Sequence, residues 1–183
     1  MKRTKTIILA TVFSIVLLLS VTFVANAQAN RIYFTAVEYD CFVDMGTEPW
    51  MEGNVMHMRN VLHVNVDVSD TPEFNGLNTT LADAEFNMKT GGGVIRGTLS
   101  FQPEGIAGTW EGTWIFTGNK GQGVAQAVAQ GTGALSGKTL FLKLFDAEPD
   151  DPRYENLPAM CAGIGEPESI VLVEGYILDP GKP

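Results

Sequence analysis

The sequence predicts an all-β chain, folded as a single antiparallel up-and-down barrel of about eight strands behind an N-terminal signal peptide. Three observations carry that prediction. Apolar residues recur at every second position through most of the chain, the period of a strand and not of a helix. The 20 glycines and 9 prolines cut these runs into pieces of strand length. In "GTWEGTW", Gly108 to Trp114, glycine and tryptophan alternate on one face, the small-large filling that suits the tapering wall of a closed barrel.

The chain begins with Lys2, Arg3 and Lys5, continues through an uncharged run from Thr6 to Val24 and reaches Ala25-Asn26-Ala27. That is the build of an export signal over residues 1–27 with a small-residue cleavage site. The rival reading is a retained membrane anchor, since the run approaches the roughly 20 residues that span a bilayer, but the small residues before Gln28 favour cleavage. Residues 28–183 then form one barrel domain, secreted or held in the periplasm or cell envelope, without stable membrane association after cleavage.

Strand character starts in "RIYFTAVEYDCFVDM", Arg31 to Met45. From Val61 to Val68, Leu62, Val64, Val66 and Val68 share one face, and His63, Asn65 and Asp67 share the other with Val61, so one face is buried and one is wet. Thr80 to Phe86 alone has some helical character. Gly97 to Gln102 alternates again. In the next strand Gly108, Trp110, Gly112, Trp114 and Phe116 point inward while Thr109, Glu111, Thr113 and Ile115 point out. Beyond a Gly118-Asn-Lys-Gly121 turn, "GVAQAVAQGTG" supplies Ala125, Ala127 and Ala129, small partners that leave room for the rings. Leu140 to Phe145 and Ile170 to Leu178 complete the strands, the last nearly all apolar and covered on both faces. Between them, Asp146 to Gly165 is too acidic and too proline-broken for a strand and reads as one long irregular loop.

The two cysteines, Cys41 and Cys161, sit near the two ends of an exported chain and are expected to pair; two free or metal-binding thiols are the alternative. The 12 basic and 21 acidic residues give a formal net charge of −9, and the signal carries away only basic ones. Nucleic acid and anionic headgroups are thereby disfavoured as partners, because both require a positive footprint.

Few motifs carry chemistry. "GTGALSGKT", Gly131 to Thr139, has Thr132 where a phosphate-binding loop needs its first glycine, and a strand follows where a helix is needed. His57 and His63 lie among Met45, Met51, Met56 and Met58, a copper-like composition, yet on one strand the imidazoles would be about 20 Å apart. Core methionine with surface histidine accounts for them without a metal. Asp146, Glu148, Asp150 and Asp151 offer oxygen ligands for Ca²⁺, without the glycine of a calcium loop. No G-x-S-x-G and no recognisable catalytic histidine is present. Asn78-Thr-Thr80 fits a glycosylation acceptor.

The stretch "GTWEGTW…GQGVAQAVAQGTGALSGKTLFLKL", Gly108 to Leu144, resembles the allene oxide cyclase-like and dirigent barrel superfamily, through the strand Gly108 to Phe116 and the Gly131-Thr-Gly133-x-x-x-Gly137 turn opening the next strand. The resemblance implies an eight-stranded antiparallel barrel with an apolar central cavity. Plant members cyclise an unstable epoxy fatty acid or orient radical coupling by holding a reactive molecule in one conformation. No position carries over the cyclase pocket residues. The tripeptide "GTW" is also similar to calycins such as lipocalins and avidins, where it lies in the first barrel strand instead of mid-chain.

The functional expectation is therefore an exported, non-catalytic barrel that holds a small apolar molecule against Trp110, Trp114 and Phe116 or serves as an envelope structural module, with no cofactor or metal. Its first alternative is a cyclase- or isomerase-like enzyme on an apolar substrate, which requires a polar group at the cavity floor. The second is a Ca²⁺- or protein-binding module using the loop Asp146 to Gly165. The oligomeric state is not legible.

Overall fold

The computed structural model describes residues 30–119 and 122–181, so the export signal read at 1–27 and part of the Gly118 to Gly121 turn lie outside the described residues. Residues Arg31–Asp179 form one compact unit. Nine strands follow in order: β1 (Asn30–Asp44), β2 (Trp50–Glu52), β3 (Val55–Ser69), β4 (Gly76–Asn87), β5 (Gly92–Pro103), β6 (Trp110–Asn119), β7 (Gln122–Gly131), β8 (Thr139–Asp146) and β9 (Glu166–Asp179). From β3 to β9 each strand lies beside the next in sequence, and β1 sits between β9 and β3, closing an eight-stranded antiparallel barrel. β2 is the extra strand: it continues along the edge of β3 beyond the end of β1, pairing Trp50 with His57 and Glu52 with Val55. The fold class read from the sequence is the one observed. Thr80 to Phe86 is the second half of β4, with Ala82 and Ala84 buried and Leu81 and Asp83 exposed.

The parity of β6 follows the sequence. Trp110, Gly112, Trp114 and Phe116 face inward, and β7 brings Gly131, Ala129, Ala127 and Ala125 directly opposite them. The rings do not all rest on the alanines, however. A Cβ on Gly97 of β5 would meet the Trp114 indole nitrogen at 2.5 Å and the Leu81 carbonyl oxygen at 2.6 Å, so this indole lies over glycine. Phe116 lies likewise over Gly123.

In β3 the alternation is kept, but its sides are reversed from an ordinary core. Asn65 and Asp67 are buried inside the barrel, while Leu62, Val64, Val66 and Val68 face outward. β4 behaves alike: Asn78 and Thr80 are buried, and Leu77 and Leu81 are 46% and 44% exposed. A bulge sets this phase. Met58 pairs with Ala84 and Val61 with Ala82, so Arg59 and Asn60 together oppose the single residue Asp83, and Asn60 takes a left-handed φ of 61°.

The lower end of the barrel, where the β3–β4, β5–β6 and β7–β8 connections lie, is packed shut. Phe74, from the one-turn helix Pro72–Phe74, wedges between Phe34 and Phe101 at ring separations of 4.8 and 4.9 Å. Leu135, from the turn Gly133–Leu135, and Trp110 join the same core.

The segment after β8 is not wholly irregular. Asp151 accepts a hydrogen bond from the Arg153 backbone N–H and starts a helical turn at Pro152–Glu155, and a single α-helical turn follows at Leu157–Met160. Proline fits at a helix start because the N–H it lacks would find no partner there. This segment packs on the outside of the barrel, where Leu157 and Cys161 join Tyr39, Cys41, Ala147 and Ile170 in a second buried cluster. Cys41 and Cys161 form the expected disulfide, with Cα atoms 5.4 Å apart.

Candidate functional site

Above the packed floor the barrel opens into a cavity of about 270 Å³. One wall is apolar: Leu99 from β5, Trp114 and Phe116 from β6, Ala127 from β7 and Leu142 from β8. The other is polar and comes mainly from three adjacent strands: Glu38 and Asp40 of β1, His63 and Asn65 of β3, and Asn78 and Thr80 of β4, with Ser169 of β9 beside them. Strand pairing builds that wall in rows. Glu38 lies opposite Asp67, the next row runs Asp40, Asn65, Asn78, and the row above runs Phe42, His63, Thr80.

Hydrogen bonds tie the rows together. Asn78 Nδ2 donates to Glu38 Oε2 at 3.3 Å, and Ser169 Oγ donates to Asp40 Oδ2 at 2.7 Å. At the mouth His63 Nε2 donates to Glu168 Oε2 at 2.7 Å. Neither Asp67 oxygen meets an N–H or hydroxyl donor, and its hydrogen-bonding neighbour is the Glu38 carboxyl. Two carboxyls bond to each other only when at least one carries a proton.

The electrostatics agree with that geometry. Burial, followed by the neighbouring charge of Asp67, pushes Glu38 up to about 8 against the pull of its hydrogen bonds. Burial and Glu38 hold Asp40 well above the usual carboxylate range despite Ser169, and burial and Asp40 do the same to Asp67. Burial also raises Asp146 at the mouth. For His63, burial opposes the imidazolium, but the hydrogen bond and charge of Glu168, helped by Asp40, raise it on balance. Near neutral pH Glu38 therefore keeps a proton, which it shares with Asp40 and Asp67 as one coupled group.

The sequence-predicted residues separate by height. Trp114 and Phe116 line the cavity. Trp110 is fully buried in the floor, with its Nε1 donating to the Glu73 carbonyl at 2.8 Å, and does not line the cavity. Cys41 and Cys161 lie on the outer side of the wall. His57 is far from a shared role with His63: it stacks on Trp50 at 5.0 Å outside the cavity lining. Asp151 forms an ion pair with Arg153. Among the described residues no group of three or more histidine, cysteine or carboxylate side chains is placed to hold a metal ion. Asn78 faces the interior, where a glycan has no room.

Sequence reading gave Glu38, Asp40 and Asn65 no site role and took Asn78 for a glycosylation acceptor, because acids and amides on alternate positions of a strand read as its wet outer face. The signal that finds them is the bulge at Asn60 together with closure of β1 against β3, a tertiary property. No helix among the described residues is long and apolar enough to cross a membrane. Compared with protein-family models, curated proteins and solved structures, the chain matches none.

Proposed function

We propose that this protein is an exported barrel that binds one small molecule in its upper cavity, the molecule's apolar body against Trp114, Phe116 and Leu142 and its polar end against the β1–β3–β4 wall. The observation that carries this reading is the division of one enclosed space into an apolar wall and a wall of buried polar groups, the usual composition of a ligand site. An engineered apolar cavity of about 150 Å³ holds benzene, so 270 Å³ admits a molecule of roughly ten non-hydrogen atoms. Export is supported by the Cys41–Cys161 disulfide, which persists in oxidising compartments. Native mass spectrometry of the full chain purified from its own source tests the proposal: a retained small molecule is expected in the wild type and absent from Ala127→Leu, which fills the cavity. A bare protein mass throughout would sink it.

One observation favours a second reading, an acid-base isomerase or cyclase. Glu38 is held near 8, so at neutral pH it can lend a proton to a substrate oxygen and take one back. Glu38→Gln would then abolish conversion of a panel of apolar epoxides and enones while leaving binding intact. A panel left unconverted by the wild type would remove this reading alone.

A further inference from the structure

The polar wall is unbalanced in a way that identifies the ligand's polar end. Two buried amide oxygens of the wall, Asn65 Oδ1 and Asn78 Oδ1, have no hydrogen-bond donor among the described residues, and Asp40 Oδ1 has none beyond the proton that Asp40 and Glu38 share. Asn65 and Asn78 are 4% and 5% exposed and both line the cavity. Such unpaired acceptors are costly unless a ligand supplies the donors. Apart from the shared carboxyl protons, the buried donor of the lining left without a partner is Trp114 Nε1, on the opposite wall.

Charge points the same way. The titratable groups facing the cavity are Glu38 and Asp40 from β1, His63 from β3, Asp146 from β8 and Glu168 from β9, with Asp67 behind Glu38. The lining includes no lysine or arginine, and the single histidine is already held by Glu168 at 2.7 Å. An anion would find no lysine or arginine to pair with and would oppose ionisation of the carboxyls around it. A primary ammonium has three N–H donors and no acceptor, enough for the two bare amide oxygens and for Asp40 once the shared carboxyl proton leaves.

We infer that the cavity selects a primary amine with an apolar, ring-sized body, whose ammonium group is received by Asp40, Asn65 and Asn78. The inference rests on the binding reading above and names the ligand class of that same site.

Three probes of one shape, phenylpropylamine, phenylpropanol and phenylpropanoate, distinguish the outcomes when titrated calorimetrically into the full chain. The amine is expected to bind at least tenfold more tightly than the alcohol, and the carboxylate least. At about pH 6, where the interior carboxyls hold their protons, an entering ammonium displaces one of them. The heat of binding then varies with the ionisation enthalpy of the buffer in the sense of proton release. Asp40→Asn is expected to remove the preference for amine over alcohol, and Asn78→Ala, checked for an intact barrel by circular dichroism, to weaken it. Alcohol or carboxylate binding as tightly as the amine, or amine binding without proton release, overturns the amine assignment and leaves the cavity reading standing. If none of the three probes binds, both fall.

Discussion

Glu38 shows how a single side chain can set the pH behaviour of the barrel. Its ordinary value is 4.5 and its folded value about 8, so between those limits the folded state keeps a proton that the unfolded chain has lost. The unfolded state then binds fewer protons, and stability falls as pH rises through that window. Asp40 and Asp67, raised for the same reason, steepen the fall. Glu38→Gln removes the ionisable group but keeps an oxygen to accept from Asn78. Thermal melts should show this variant more stable than wild type at about pH 8, with the gap closing near pH 4. A gap independent of pH would mean that Glu38 titrates normally. None of this was visible in "AVEYDCF". A strand alternating acid with apolar residues has the same text whether the acids face water outside or a wet interior, and only the partner strands decide.

The same ambiguity recurs at the scale of elements, and the bulge in β3 resolves it. Without the extra residue, the stretch beyond Asn60 would slip by one position and turn His63, Asn65 and Asp67 outward. Deleting Asn60 is therefore expected to abolish ligand binding and to cost several kcal/mol, whereas Asn60→Gly, which suits the left-handed φ of 61°, should be nearly neutral. Denaturant midpoints and binding of a cavity probe check both outcomes. Asn60→Val is expected to destabilise by about 1–2 kcal/mol, since a branched side chain resists that conformation. In β5, Gly97→Ala would drive a methyl group into the Leu81 carbonyl and the Trp114 indole, and overpacking of this kind costs about 1–3 kcal/mol. Strands β6 and β7 were legible because local parity alone places Trp114 inside and supplies Ala127 opposite it. The phase of β3 was not, because it hangs on one extra residue, Asn60, whose left-handed backbone sits in a bulge against β4 that no periodic pattern announces. The short helical turns after β8 escaped for a related reason: they are single turns, fixed by an Asp151 cap and by docking on β1 and β9 rather than by a periodic pattern.

For the molecule as a whole, the packed core and the cavity occupy different storeys. The floor around Phe74, Phe101 and Trp110 is dense and apolar, while the upper half gives part of its packing to the cavity and its polar wall. The antiparallel connections could be read from period and turn signals and closure from the glycine-tryptophan spacing, while the eight-strand count was what the resemblance of Gly108 to Leu144 implied. Its half-wet interior could not, since composition does not say which side of a closed sheet a residue faces. The disulfide adds a tie across 120 residues of chain, worth about 3–5 kcal/mol through restriction of the unfolded ensemble. Replacing both cysteines by alanine should lower the denaturation free energy by that amount.

That tie also reaches the site. Cys41 directly follows Asp40, and Cys161 Sγ lies 3.5 Å from the Asp40 carbonyl oxygen, so the crosslink braces from outside the strand that presents Asp40 within. Reduction should therefore weaken capture of a cavity probe at temperatures where the barrel remains folded, as titration with and without reductant will reveal. On the proposed reading the pocket matures with the crosslink: a chain that is still reduced presents Asp40 on an unbraced strand and should hold a cavity probe less tightly than the oxidised one.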